Sequence, residues 1–291
     1  MACTRLRSPE VVIAVALAAA CTGCPVSPPL SHLPDGQAAI DRLRASSTCA
    51  QAVRVEDASA SVPKVPIVKL GAMAIAERPN HFRFDFSAFG QPAATLICDG
   101  TTLTFVNLRN PQTQQLPATA DALASAVGIG VTPNVIVSLM LGRPPVLVHQ
   151  QAPSVKWESG HYAVELDGAN AWHEHIELIP RESDWNKPWQ EQRMRLLRVR
   201  VSKEGLDLYD ARLGDHRVIT AAPVTTQNTQ LCNPELDKVL GTTCDSGARA
   251  APCEDVELPT DVEIESGGKT VSIHEKKTVL NPPIDPKVFN P

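Results

Sequence analysis

HFRFDFS, residues 81–87, is the stretch of sequence that decides the fold. Its three phenylalanines alternate with polar residues, so the aromatic rings face one way while Arg83 and Asp85 face the other. Successive side chains point to opposite faces along an extended strand, and this alternation is the signature of one. The stretch therefore predicts a strand with one buried and one solvent-facing side, as is typical of an antiparallel sheet.

Further strands are predicted on both sides of this stretch. Residues 65–76 precede it, and residues 93–98 and 103–108 follow it around an Asp99-Gly100 turn, a dipeptide typical of hairpins. After residue 145 the pattern resumes in short segments separated by glycine-containing turns, which predicts antiparallel neighbours. These segments are residues 146–148, 155–158, 162–166, 172–179, 194–201, 206–209, 217–220, 256–264 and 270–274.

Two other regions have the spacing of helices. One amphipathic helix is predicted near the start, where apolar residues recur at helical intervals among good helix formers. The apolar segment 120–142 is interrupted by Asp121 and Pro133, so it predicts a pair of packed short helices rather than a membrane span. The predicted helices cover residues 35–49, 121–127 and 134–141, with Thr132 as the N-cap of the last.

The order of these elements predicts an α+β protein with one large curved antiparallel sheet and helices capping its concave face. Sheets of about ten strands tend to curl, and a curled sheet forms a cup lined by every second residue of each strand. The residues predicted to line this cup and bind an apolar ligand are Phe82, Phe84, Phe86, Leu96, Leu103, Phe105, Val164 and Leu166.

The composition excludes two classes of protein. With 43% hydrophobic and 20% charged residues in 291, the chain is not a fully disordered one. Its 27 basic residues against 32 acidic ones give a net charge of -5, and no basic run stands out, which argues against a nucleic-acid partner.

Residues 1–20 have the features of a secretory signal peptide. Arg5 and Arg7 precede an uncharged apolar run at residues 11–20, which is too short to cross a hydrocarbon core of about 30 Å. The run leads into Cys21, and a second cysteine follows at Cys24. An ordinary secreted protein would share these features.

The junction resembles the lipobox of bacterial lipoproteins, in which the cysteine receives a diacylglycerol group and becomes the mature N-terminus. We favour Cys21, since its modification leaves six cysteines, an even number that suits an oxidising compartment, and we keep Cys24, which follows the favoured Gly23, as the alternative. A redox Cys-x-x-Cys is disfavoured because a Pro-rich stretch follows it. The expected organisation is a signal peptide at 1–20, a lipidated tether at 21–35, and one domain at 36–291 with a Cys-bearing insertion at 228–255.

The remaining cysteines are candidates for structural disulfides. Cys49 and Cys98 could pair between the end of the first helix and a strand. Ring closure within the turn-rich insertion could contribute a few kcal/mol, and its cysteines are Cys232, Cys244 and Cys253.

Catalytic motifs are absent from the sequence. It contains neither Gly-x-Ser-x-Gly nor His-Glu-x-x-His, and Gly128-Ile129-Gly130 lacks the third glycine of a dinucleotide site. His173-Glu174-His175 is one ligand-like cluster, because both imidazoles would share a face of a strand. We favour a solvent-facing pair of histidines there, with Glu174 on the apolar face, and expect no metal, no cofactor and no enzymatic activity.

The chain resembles the LolA/LolB-like superfamily of periplasmic lipoprotein carriers and acceptors, and within it the outer-membrane lipoprotein branch. The order of several short motifs carries the resemblance. They are residues 39–44 (AIDRLR), 77–84 (ERPNHFRF), 96–100 (LICDG), 130–133 (GVTP), 139–145 (LMLGRPP) and 281–282 (NP).

The resemblance implies a half-barrel of about eleven strands with a helical lid, whose apolar cavity accepts acyl chains of a lipoprotein or lipid. It implies a membrane-anchored protein of the bacterial envelope, on the outer membrane and facing the periplasm, that handles lipoproteins or lipids. The alternative is a non-enzymatic envelope scaffold that binds another protein through the sheet.

Metabolic labelling with radioactive palmitate tests the lipid anchor. We expect the label to be lost in Cys21→Ala and kept in Cys24→Ala, because only the lipidated cysteine accepts acyl chains. Loss in Cys24→Ala alone would assign the anchor to Cys24. Unchanged labelling in both variants would contradict a lipobox at this position.

Overall fold

Thirteen antiparallel strands form one open sheet in the computed structural model, which describes residues 27–63, 69–110, 112–219 and 256–291. The strands lie in the order β6-β5-β4-β3-β2-β1-β15-β14-β11-β10-β9-β8-β7. Their bounds are β1 Ala52–Ser61, β2 Leu70–Glu77, β3 His81–Ala88, β4 Gln91–Asp99, β5 Thr102–Asn107, β6 Gln112–Pro117, β7 Ser154–Glu158, β8 His161–Asp167, β9 Trp172–Pro180, β10 Met194–Lys203, β11 Leu206–Gly214, β14 Asp261–Ser266 and β15 Lys269–Leu280. A separate ladder pairs β12 Arg217–Ile219 with β13 Val256–Leu258.

In the described residues, three α-helices lie on the apolar face of this sheet. They are α1 Gly36–Ser47, α2 Ala120–Ala126 and α3 Pro133–Met140, and short 3-10 turns occur at Glu182–Asp184, Trp189–Glu191 and Pro286–Phe289. Helix α1 packs against β7, β8 and β10, whereas α2 and α3 pack against β2, β3 and β5. Helix α1 therefore covers the half of the apolar face that includes β7 to β10, and α2 and α3 cover the half that includes β2 to β5. We call α2, α3 and the connection between them the cover.

The predicted fold class is confirmed. The sheet has thirteen strands where the resemblance implies about eleven, and the sequence pattern predicts neither β1 nor β6. In β1 a bulge between Val55 and Ala58 interrupts the period of two. β6 has the polar sequence QTQQLP, since it is an exposed edge strand with no face to bury.

Two strand predictions are wrong. Residues 146–148 join no strand ladder, although His149 forms an isolated bridge to Gly168. The predicted strand 256–264 is broken around Pro259 into β13 and β14, which belong to different sheets. Proline lacks the N–H that a continuous ladder requires.

Helix starts follow local chemistry. The Asp35 carboxylate accepts the Ala38 N–H at 2.7 Å and caps α1. Pro133 occupies the first turn of α3, with Thr132 as the N-cap residue. The Thr132 side chain makes no capping bond and donates instead to Asn134 Oδ1 at 2.5 Å. No helix among the described residues is long and apolar enough to cross a membrane.

Several predictions about the termini and cysteines fall outside the described residues. These are the signal peptide, the lipidation positions Cys21 and Cys24, the insertion 228–255, and its cysteines Cys232, Cys244 and Cys253. The predicted Cys49–Cys98 pair is wrong, because Cys98 is a buried free thiol. Cys49 itself is not free.

The Asn281 side chain joins the end of β15 to the segment just before β1. Its Oδ1 accepts the N–H groups of Gln51 and Ala52 at 2.9 and 3.1 Å, and its Nδ2 donates to the Cys49 carbonyl at 2.8 Å. Its backbone is left-handed (φ 49°), a conformation that asparagine tolerates better than most residues. This side chain thus connects the end of β15 to the segment that leads from α1 into β1.

We expect Asn281→Ala to lower the free energy of unfolding by about 3 kcal/mol or more. The substitution leaves three backbone groups without their partner and places alanine at positive φ. Urea denaturation measures the loss, and Asn281→Gly is the matched control because glycine accepts the backbone conformation. A glycine variant as stable as the natural chain would show that these hydrogen bonds contribute nothing.

Candidate functional site

The three phenylalanines of β3 lie side by side on the apolar face. Phe82, Phe84 and Phe86 are all buried, and the ring centroids of neighbours are 5.4 and 6.0 Å apart. Arg83 and Asp85 point to the opposite face, where they form an ion pair at 2.8 Å. The alternation in the sequence therefore places the aromatic row as predicted.

A wholly apolar cavity of about 40 Å³ lies between this row and the helical pair. Strands from both halves of the sheet contribute to it, and so does the α2–α3 connection. Its walls are Ala60, Val62, Phe84, Phe86, Leu96, Val127, Ile129, Ile136, Ile264, Val271 and Ile273.

Three of the predicted lining residues, Phe84, Phe86 and Leu96, are in this wall. The others are outside it: Phe82, Leu103, Val164 and Leu166 are almost completely buried core residues, and Phe105 is half-buried against the core. Val164 and Leu166 belong to β8, in the half covered by α1. The cavity therefore occupies only part of the apolar face, and the rest of that face is filled core.

The predicted lining does not include the helical and C-terminal parts of the wall. Val127, Ile129 and Ile136 come from the helical pair, and the hairpin β14–β15 supplies Ile264 and Val271. The alternation of apolar residues along β14 is a local signal that could have predicted its inward-facing side chains. The pairing of β15 with β1 has no such local signal, because it joins segments about two hundred residues apart.

The cavity has room for little more than one water-sized group, whose share of liquid volume is about 30 Å³. Binding sites for small molecules are typically about 300–1,000 Å³. The cavity is therefore well below that size, because side chains of α2, α3 and their connection pack against the sheet.

Glycines flank this cover. Gly128 after α2 and Gly142 after α3 adopt positive φ values of 101° and 65°, which other residues rarely accept. Between the helices, the Gly130 N–H donates to Ser266 Oγ at 3.2 Å and so attaches the connection to β14. The contacts of the cover with the sheet are otherwise mainly apolar.

Comparisons with known proteins address the fold. No family model matches the sequence, and no curated protein matches it either. Among solved structures, a domain from Vibrio parahaemolyticus assigned to outer membrane lipoprotein sorting matches with a TM-score of 0.51 and 6% identity, over 88% of this chain and 96% of that one. The chain has a LolA-like fold.

Two further structures match over most of their length. A LolA superfamily protein from Nitrosomonas europaea has 10% identity and a TM-score of 0.45, over 89% of this chain and 99% of that one. A DUF1329 family protein from Desulfovibrio piger has 8% identity and a TM-score of 0.49, over 88% and 95%. The match to the Vibrio parahaemolyticus domain confirms the predicted resemblance for the fold.

Glu174 is a buried carboxyl group inside this LolA-like fold. It lies on the apolar face of β9 with no exposed surface, and its Oε2 accepts the Leu147 N–H at 2.8 Å. Its Oε1 has no hydrogen-bond partner among the described residues. Burial raises the pKa of Glu174 to about 8, so the group is largely neutral at pH 7.

The neighbouring histidines are on the outer face, as predicted. His173 Nδ1 lies 2.9 Å from Asp167 Oδ1, and His175 Nδ1 lies 2.7 Å from Glu165 Oε1. Hydrogen bonding to Glu165 raises the pKa of His175. No group of three or more metal-ligating side chains suited to a metal ion occurs in the part of the chain that the structure describes.

Glu275 is a second buried carboxyl group. It lies opposite Ala58, two residues along β15 from the cavity residue Ile273, and its Oε2 accepts the Thr278 hydroxyl at 2.7 Å. Burial raises the pKa of Glu275 to about 7. The apolar interior is thus accompanied by two carboxyls that titrate near neutral pH.

The free energy of unfolding should therefore decrease as the pH rises from about 5 to 8. A carboxyl whose pKa is raised by folding stabilises the protein fully below its unfolded pKa and loses that contribution as the pH rises through the folded pKa. For Glu174 the slope approaches about 1.4 kcal/mol per pH unit. Glu174→Gln, which keeps an acceptor for Leu147, should remove the contribution of Glu174 and leave that of Glu275, so the slope measured by urea denaturation at several pH values should fall to about half below pH 7.

Glu158→Gln, on the exposed side of β7, is the matched control and should leave the slope unchanged. A slope in Glu174→Gln equal to that of the natural chain would contradict a neutral buried Glu174.

Proposed function

We propose that this chain is a lipid-anchored protein of the bacterial cell envelope that binds an acyl chain of a lipoprotein or lipid beneath α2 and α3. The single observation that carries the proposal is the cavity under these helices, whose lining is wholly apolar. A hydrocarbon chain is the one common ligand that needs no polar partner in such a space. The role proposed is binding and transfer, without catalysis.

Energetics permit an exchange between the cover and a ligand. Helix α3 buries five aliphatic or thioether side chains, whose exposure would cost about 8–15 kcal/mol at about 1.5–3 kcal/mol each. An acyl chain of about sixteen carbons contributes about 12 kcal/mol when fully buried, at about 0.8 kcal/mol per methylene. Because the two quantities are comparable, an acyl chain can replace the helix side chains without a large net change in free energy.

Short helices suit this role. A helix of seven or eight residues has little stability of its own, so α2 and α3 depend on their contacts with the sheet. The glycines at 128 and 142 allow the backbone to change direction at the end of each helix. The cover can therefore separate from the sheet while the thirteen strands keep their pairing.

The location is part of the proposal. A signal peptide at 1–20 and lipidation of Cys21, or of Cys24, would place the body of the protein at a membrane surface, and we propose the periplasmic face of the outer membrane. More than one acyl chain is needed for stable anchoring, and lipobox chemistry supplies several. The proposal includes the organisation expected from the sequence, with a lipidated tether at 21–35 and one domain at 36–291.

The alternative, a scaffold that binds a protein through the sheet, has weaker support. The free edges in the described sheet are β6 and β7, which are six and five residues long and mostly exposed and polar. Short polar edges disfavour the addition of a strand from another chain.

Filling the cavity should weaken acyl binding. Ala60 is buried in the cavity wall, and Ala60→Leu adds about three carbon atoms to a space of about 40 Å³. We expect at least tenfold weaker binding of a fluorescent fatty-acid probe in a displacement titration, since each tenfold corresponds to about 1.4 kcal/mol.

Ala74→Leu is the matched control, because Ala74 is equally buried on β2 but outside the cavity wall. Both variants carry the cost of overpacking, about 1–3 kcal/mol. Equal probe binding by the two variants would contradict the proposed site. Native mass spectrometry of the natural chain should show a co-purified fatty acid or phospholipid, whereas a stoichiometric protein partner and no lipid would favour the scaffold.

A further inference from the structure

Four of the seven exposed large apolar side chains in the described residues lie at one end of the sheet, and the other three, Leu30, Met73 and Val218, lie elsewhere. This end carries the β3–β4, β5–β6, β8–β9, β10–β11 and β14–β15 connections. Phe89, in the β3–β4 turn, and Leu206, the first residue of β11, are 89% and 71% exposed, and Leu108 and Val148 are 46% and 54% exposed. We call these four residues the apolar rim. Val148 belongs to it because its neighbour His149 bridges to Gly168 at the end of β8.

Phe89 occupies an unfavourable backbone conformation. Its φ of 54° is rare for a bulky residue, and the following Gly90 has φ 75°, which together make a tight hairpin turn. Asparagine or aspartate is usual in the place of Phe89. Because the ring is almost fully exposed, no packing within the described protein offsets this conformation. Such an outlier points to a partner outside the chain.

The cavity lies at the same end. Val62 follows the last residue of β1, Val271 lies near the start of β15, and Phe86 lies near the end of β3. Gly128, in the cover, sits so that an added Cβ would be 3.4 Å from the Lys269 side chain and 3.5 Å from Pro63. The apolar rim and the cavity therefore lie toward the same end of the sheet.

The N-terminal segment is attached at the opposite end. Ser31 Oγ accepts the Trp189 N–H at 2.9 Å, and the Leu33 N–H donates to the Tyr162 hydroxyl at 3.4 Å. Trp189 lies in the β9–β10 connection and Tyr162 follows the β7–β8 turn, both at the end away from the apolar rim. The chain thus leaves the body at the end farthest from the cavity.

Chain length limits where the anchor can lie. The ten residues from Cys21 to Ser31 span at most about 33–36 Å when fully extended. The ten-residue strand β10 spans about 33 Å between the two ends. A body held at Cys21 can bring the apolar rim to its own membrane only with a fully stretched tether. When the tether is not fully stretched, the rim faces away from the membrane that holds the anchor.

The charges at this end suit a lipid surface. Lys203 lies over the Trp172 ring, 5.7 Å from its centroid, and both residue types are common at membrane interfaces. Lys69 and Lys269 lie near the rim, as do the acidic Glu204 and Asp207. Because the charges nearly balance, apolar contact and not net charge would hold the rim on the surface.

We propose that the apolar rim docks on a lipid bilayer other than the one that holds the anchor. The cavity then opens toward this second bilayer, and the protein spans the space between two membranes. This inference rests on the proposed function for the anchor and for the acyl cavity. The occupant is the bilayer surface, and the contacts are Phe89, Leu206, Leu108 and Val148.

Vesicle clustering tests the proposal with the full acylated chain. The protein is reconstituted into phosphatidylcholine vesicles that carry a fluorescent donor lipid, and protein-free vesicles carry the acceptor. We expect energy transfer between the two populations, and hydrogen exchange should show protection of residues 86–92 and 203–208 on addition of the acceptor vesicles. Absence of clustering, or equal protection without acceptor vesicles, would overturn the proposal.

Two variants test whether vesicle clustering depends on the apolar rim or on exposed apolar side chains in general. Phe89→Asn combined with Leu206→Ser should reduce clustering at least tenfold, because each side chain loses about a tenfold contribution to partition. Asparagine suits the backbone at position 89, so the double variant should fold. Met73→Ser, which removes an exposed apolar side chain from the middle of β2, is the matched control and should cluster normally. Clustering unchanged in the double variant would overturn the proposal.

Failure here is distinguishable from failure of acyl binding. If the natural chain binds the fatty-acid probe but does not cluster vesicles, the rim proposal fails and the cavity proposal stands. If it clusters vesicles but does not bind the fatty-acid probe, the cavity proposal fails and docking of the rim on a bilayer stands. A mature chain without any acyl group would overturn the arrangement between two membranes.

Discussion

The pairing of β15 with both β1 and β14 is the constraint on which the rest of the structure depends. β15 joins the N-terminal half of the sheet to the C-terminal half, and its register with β1 brings together residues such as Val53 and Leu280. Asn281 secures that junction by binding the backbone just before β1. Closing so long a loop costs conformational entropy that only the completed sheet returns.

The cavity exists because of this junction. Its wall combines residues of β1, β3 and β4 from one half with residues of β14 and β15 from the other. Neither half alone would enclose it, and the helical pair covers the seam. Cavity and fold are therefore consequences of the same long-range pairing.

The interior combines apolar walls with two buried carboxyls. Glu174 holds the segment after α3 through the Leu147 backbone, and Glu275 lies beside the cavity residues of β15. Both are neutral in part near pH 7 because burial disfavours their charge. On the outer face, by contrast, charged groups are paired with each other: arginines 83, 198 and 212 form ion pairs with carboxylates. Because solvent screens these charges, each pair contributes little to the free energy of unfolding.

The sequence by itself determined the secondary structure of most of the sheet, the position of all three helices and the direction of the phenylalanine row. Those features depend on local periodicity, on Pro133 and on turn residues such as Asp99-Gly100, which act within a few residues. It did not reveal β1, whose bulge hides the period, or β6, which has no buried face. Tertiary structure alone decided that Phe82, Leu103, Val164 and Leu166 are filled core, and that Phe84, Phe86 and Leu96 border a cavity with Ile136 and Ile273. The physical reason is that burial belongs to pairs of distant segments: an alternating strand shows which side chains turn inward, but only the opposing surface decides whether they meet another side chain or an empty space.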